Sequence, residues 1–107
     1  MSDTNPSAAR SITKIMAIGT LKAPLSAEQQ QANMPREVPD TLKLYLDGRI
    51  EQWWAKQDGT GVMFLFGLSS EDEVRAALAP LPLHVAGLMT FELIPLGPLS
   101  PLAMLLK

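Results

Sequence analysis

The chain contains no cysteine. That excludes disulfides, thiolate metal sites and any thiol nucleophile, and it suits a reducing cytoplasm, where we expect the protein to reside. Histidine is nearly as scarce. His84 is the single one, it cannot build a metal site by itself, and no carboxylate pair stands near it at ligand spacing. Neither a metal nor a cofactor is therefore expected. Net charge is also small, at -2, and the nine basic residues are scattered from Arg10 to Lys107 without forming a cationic stripe. Nucleic-acid binding needs such a stripe, so no nucleic-acid partner is expected. No apolar run approaches the roughly 18 residues that span a bilayer. The stretch from Leu96 to Leu106 is apolar but is interrupted by Pro98 and Pro101. Met1-Ser2-Asp3-Thr4-Asn5-Pro6 lacks the basic and apolar regions of a signal peptide. There is no glycine-rich phosphate cradle and no Ser-His-Asp elbow.

What the chain has in quantity is apolar side chain. Hydrophobic residues make up 47% of 107 positions, more than a single small core accommodates, so part of the apolar surface is expected to meet another subunit. Residues 1–10 are small and polar and read as a disordered leader. A domain follows over 11–95, then an apolar tail over 96–107 expected to contact the partner subunit.

Within the domain, residues 12–21 are rich in β-branched types and read as a first strand. Ser26 suits the cap of a short helix over 27–33, with Glu28 in its first turn. Pro35 suits the start of a second helical piece, whose bulk runs over 36–47 and is closed by Gly48. Its apolar stripe reads as Val38, Leu42, Tyr45 and Leu46. Residues 49–56 form a second strand, and Asp58-Gly59 signals a hairpin. Residues 61–68 are apolar without alternation, as in a central strand buried on both faces. Ser70 with Glu73 makes a capping box ahead of a helix to about Ala79, with Val74, Ala77, Leu78 and Leu81 inward. Residues 88–94 alternate and form the last strand. The order β-α-β-β-α-β implies an α+β, ferredoxin-like domain with a four-stranded antiparallel sheet and both helices on one face. The other face is left for a second copy of the chain.

Between residues 34 and 83 the chain resembles the muconolactone isomerase family. The residues that carry the likeness run from Glu37 to Gly48, through the Trp54 strand, the hairpin and the Ser70-capped helix, to Leu81-Pro82-Leu83 and Pro95-Leu96. A muconolactone isomerase-like group is similar at Leu44-Tyr45-Leu46-Asp47-Gly48, Asp58-Gly59-Thr60-Gly61-Val62 and Leu96-Gly97-Pro98-Leu99. The resemblance implies a dimeric α+β barrel, sometimes assembled into larger homo-oligomers. It also implies a cofactor-free isomerase that shifts a double bond in a lactone by moving a proton. Two departures stand out. Ala55 occupies the place where the isomerases carry an arginine, and Gly97-Pro98-Leu99-Ser100 stands where they carry a His-Pro-Ser-Ser tail. Both remove polar groups that could hold a lactone carboxylate.

The candidate catalytic residues are Glu37 and His84. Glu37 occupies the place of an acidic residue in the family's first helix and flanks the apolar stripe, with Thr41 and Leu44 on its own side. A half-buried carboxylate there is a candidate proton shuttle; the same glutamate also suits a solvated helix N-terminus. His84 has the intrinsic basicity for general-base work, or is a locally bonded loop residue. Tyr45, Trp53 and Trp54 are the candidate ligand-binding residues. The adjacent tryptophans must point to opposite faces of their strand. Either anchors structure or stacks on a flat ligand. Glu92 is costly if it faces the interior and trivial at an edge. Glu71-Asp72-Glu73 reads as cap chemistry. The resulting expectation is a proton-transfer isomerase on a small lactone or carbonyl compound. The alternatives are a non-catalytic ligand-binding or assembly module, or a cofactor-free oxygenase on the same barrel fold.

Overall fold

The computed structural model describes residues 11–98. The expected leader over 1–10 and the greater part of the expected tail, residues 99–107, lie outside the described residues. The elements are β1 (Lys14–Leu21), α1 (Ala27–Leu46), β2 (Ile50–Ala55), β3 (Gly61–Phe66), α2 (Glu71–Leu78), α3 (Pro82–Val85) and β4 (Met89–Leu96). The strands form one sheet in the order β2-β3-β1-β4, and every pair is antiparallel. This is the ferredoxin-like α+β fold.

Side chains alternate across each strand. On β1, Ile15 and Ala17 are buried while Met16 and Ile18 are half-buried. On β3, Phe64 and Phe66 are buried while Met63 and Leu65 are half-buried. The core therefore lies on one face of the sheet, where Ile15, Ala17, Ile50, Phe64 and Phe66 meet Leu44 of α1 and Val74, Ala77 and Leu78 of α2. The expectation that β3 is equally buried on both faces is corrected. Met63 and Leu65 share a second, helix-free face with Met16 and Ile18 through direct register. Glu92 stands on that face as well, opposite Ile18, and is exposed.

The first helix differs from the expectation in two ways. It is one continuous helix from Ala27 to Leu46, with Pro35 and Pro39 inside it. A proline inside a helix removes one ladder bond to the carbonyl four residues earlier. Those carbonyls belong to Gln31 and Pro35, both exposed, where water can serve them. The helix thus runs on, started by a complete capping box between Ser26 and Gln29. The stripe is also shifted. Val38, Leu42, Tyr45 and Leu46 are all exposed, and the buried residues are Glu37 and Leu44. The inward positions 34, 37, 41 and 44 have helical spacing of their own, one residue out of phase with the greasier stripe. Packing chose the stripe that includes a glutamate and a threonine.

Two turns set the register. At the β2–β3 hairpin, the Asp58 carboxylate accepts from the Thr60 hydroxyl at 2.6 Å and the Thr60 N–H at 2.9 Å. These bonds hold the Asp58 carboxyl below the usual carboxylate range. Gly59 takes the positive φ of 76° that the turn requires. Gly61, which starts β3, lies so close to β1 that a Cβ there would collide with the Gly19 carbonyl oxygen. That oxygen belongs to paired backbone and cannot swing away. Gly61→Ala is therefore expected to lower stability by about 1–3 kcal/mol. The measurement is a lower denaturant midpoint at unchanged slope; an unchanged midpoint would show that the strands yield.

Of the capping box expected at α2, the Ser70 half is present: its side chain accepts from the Glu73 N–H at 3.3 Å. The segment after Pro80, expected as a loop, contains the four-residue helix α3, for which Pro82 supplies a preset first residue.

Candidate active site

The functional geometry begins at α3. The first N–H groups of a helix have no partner inside it. Leu81, the N-cap, offers no side-chain acceptor, and Pro82 has no N–H. Of the two N–H groups that remain, those of Leu83 and His84, that of Leu83 donates to Glu37 Oε1 at 2.9 Å, across 46 positions of sequence. Glu37 sits in the middle of α1 and is only 7% exposed. Its second oxygen, Oε2, has a long 3.4 Å contact from the Thr41 hydroxyl, one turn along the same helix. One oxygen is thus anchored by backbone, while the other keeps acceptor capacity.

Glu37 is part of the wall of a cavity of about 380 Å³ between α1 and the β2 edge of the sheet. From α1 come Met34, Glu37, Val38, Thr41 and Leu42. The sheet contributes Trp53, Trp54, Ala55, Val62 and Phe64, and Leu83 and Met89 close the far end. Trp53 pairs directly with Phe64 across β2 and β3, so both rings stand on the core face. The outer rim consists of Val38, Leu42, Trp53 and Trp54, all exposed. Apart from the two indole N–H groups, the polar side-chain groups of the wall belong to Glu37 and Thr41. No lysine, arginine or histidine lines it.

The structure brings Glu37, Trp53 and Trp54 together around this cavity. Trp54 borders it although its register partner, Met63, belongs to the helix-free face. Tyr45 does not line the cavity, and it is not the buried core residue expected. It is 41% exposed and stacks on Trp53 with ring centroids 4.4 Å apart and planes 13° from parallel. It therefore backs the wall of the cavity instead of forming it. His84 is exposed and outside the lining. Its Nδ1 lies 3.4 Å from the Met89 carbonyl oxygen, and its ring is 6.0 Å from that of Phe91. Glu37 and His84 are thus not brought together on the cavity wall. Sequence reasoning missed Met34, Thr41, Leu83 and Met89 as wall residues. The signal for the first two was the 34-37-41-44 spacing, masked by the more apolar stripe beside it.

Among the described residues, no group of three or more His, Asp or Glu side chains is placed to hold a metal ion. No helix among them is long and apolar enough to cross a membrane. No protein-family model matches the chain, and no curated protein matches it in sequence. Among solved structures, the fold is similar to that of 5-chloro-2-hydroxyhydroquinone dehydrochlorinase from Burkholderia phenoliruptrix, in complex with 2,5-dihydroxybenzoquinone. The TM-score is 0.58 at 19% sequence identity, over 75% of this chain and 90% of that one. At that identity the likeness establishes the fold, and the chemistry must be argued from the cavity.

Proposed function

We propose that the chain is a muconolactone isomerase-like protein of the cytoplasm. In this reading it shifts a double bond in a small, apolar, carbonyl-bearing ring compound by proton transfer without a cofactor. The observation that carries the reading is the Glu37 carboxylate, buried at the wall of an otherwise apolar cavity, with one oxygen anchored by the Leu83 N–H and the other holding only a long contact from the Thr41 hydroxyl. A ring stacked against Trp53 presents its α C–H to Oε2. The C–H bond breaks, the proton moves to Oε2 and the electron pair spreads into a dienolate. Oε2 then returns the proton to the γ carbon, and the double bond ends one position along the ring. The Leu83 N–H holds the carboxylate in place throughout, so little reorganisation accompanies the transfer. The dehydrochlorinase of similar fold, which acts on a chlorinated hydroxyhydroquinone and holds a quinone in its complex, supports a flat ring as the kind of molecule accommodated. The test is deuterium uptake. Butenolides incubated with the protein in heavy water are expected to exchange their α and γ hydrogens, read by NMR, and Glu37→Gln is expected to abolish the exchange.

A second reading has its own observation. The bond from the Leu83 N–H makes Glu37 a strut between α1 and α3, which is all a non-catalytic ligand-binding module needs. Ring binding without exchange in the unaltered protein would select it.

The reading includes a homodimer in which a second copy covers the helix-free face. Met16, Ile18, Met63 and Leu65 are half-buried there, and Ile94 of β4 is exposed. Ile18→Asp places a charge at the centre of that face, opposite Glu92. It is expected to convert a dimer into a monomer in sedimentation equilibrium. A monomeric unaltered protein would remove the dimer from the reading.

A further inference from the structure

We propose that this cavity selects uncharged ring compounds, and rejects ring compounds of the same shape that carry a carboxylate. The inference rests on reading the cavity as the ligand site, and it deepens that reading by naming the charge of the ligand.

Recognition of an organic anion in an apolar site needs a cation or a set of convergent N–H donors, because a desolvated charge without a partner is strongly unfavourable. The wall offers no cation, and apart from the two indoles none of its side chains carries an N–H donor. Its twelve residues include no lysine, arginine or histidine. The backbone N–H that reaches the site, that of Leu83, is already bonded to Glu37 Oε1. Beyond the end of β2, the Lys56 Nζ is turned to the Thr20 hydroxyl at 3.1 Å. Thr20 pairs with Thr90, on the helix-free face. Lys14, the other lysine of the sheet, is paired with Glu51. A ligand carboxylate would therefore lose its water, gain no cation and face Glu37 itself.

What the wall does offer is an almost wholly apolar surface with an aromatic face. Trp53, held by its stack on Tyr45, presents a ring to lie on. Phe64, Val62 and Leu83 complete an apolar slot. A neutral, flat molecule fills this slot without bringing in a charge that needs a partner.

The experiment compares two ligands of one shape, 2,4-dihydroxybenzamide and 2,4-dihydroxybenzoate, at neutral pH. Binding is read by tryptophan quenching and by shifts of the Leu83 amide in NMR spectra. The amide is expected to bind at least about tenfold more tightly than the carboxylate. The reciprocal variant is Ala55→Lys. Ala55 is a small, exposed wall residue on edge strand β2, a position where lysine is well tolerated. The added ammonium is expected to close or invert the preference. Equal binding of the two ligands, tighter binding of the carboxylate, or binding of neither by the unaltered protein would overturn the inference. So would an unchanged preference in Ala55→Lys with its fold intact. None of these results touches deuterium exchange on butenolides, so charge selection and proton transfer stand or fall separately.

Discussion

Glu37→Gln is expected to lower turnover of a ring substrate by roughly 100- to 10,000-fold, the usual contribution of a positioned acid–base group, while the protein remains folded. Both halves of that expectation follow from the two oxygens. The glutamine carbonyl can still accept from the Leu83 N–H at the Oε1 position, so the tie between α1 and α3 survives. The amide nitrogen that replaces Oε2 can neither take a proton nor return it. Glu37→Leu separates the two roles in the opposite sense. It leaves the Leu83 N–H buried without an acceptor, which costs about 1–3 kcal/mol. Its activity loss is then accompanied by a fall in the thermal midpoint that Glu37→Gln does not show. Steady-state kinetics with melting curves of both variants make the measurement. Full turnover in Glu37→Gln would mean that another group moves the proton.

Phe66→Ala is expected to lower stability by roughly 3–5 kcal/mol, a large share of the 5–15 kcal/mol typical of a small domain. Phe66 is fully buried. It pairs with Ile15 of β1 on one side and with Ile50 of β2 on the other, and it meets Phe64 edge-on at 6.4 Å. These neighbours are themselves held in sheet register and cannot collapse into the space left behind. Phe91 is only half-buried, and Phe91→Ala should cost visibly less. A chemical denaturation midpoint for each variant checks the order, and equal losses would contradict it.

The strands and α2 were legible in the sequence because their signals are local. Asp58-Gly59 makes a hairpin wherever it stands between strand formers. Ser70 caps α2 three residues before Glu73. Val74, Ala77 and Leu78 recur at the helical period with no competing stripe. Helix α1 offered two stripes one residue apart, and hydrophobicity favoured the wrong one. What decides between them is tertiary. An unpaired N–H at Leu83 needs an acceptor, and only the stripe with Glu37 supplies it. That requirement joins positions 46 residues apart and has no local signature. The candidate site was therefore half legible. Glu37 and the tryptophans stand out as residue types, whereas the place of His84 and Tyr45 outside the cavity depends on how α1 rolls and where α3 turns.

That same roll leaves a row of greasy side chains, Val38, Leu42, Tyr45 and Leu46, facing outward beside the cavity mouth. The two prolines sit in the same helix at positions 35 and 39. With two rungs of its ladder missing in succession, α1 bends more easily there than elsewhere along its length. Met34 lies on the N-terminal side of this soft segment and Thr41 on the other, and both belong to the cavity wall. Slow amide exchange should therefore divide α1 into two halves. A molecule entering past Val38 and Leu42 would meet a doorway that flexes without disturbing the carboxylate anchored to Leu83.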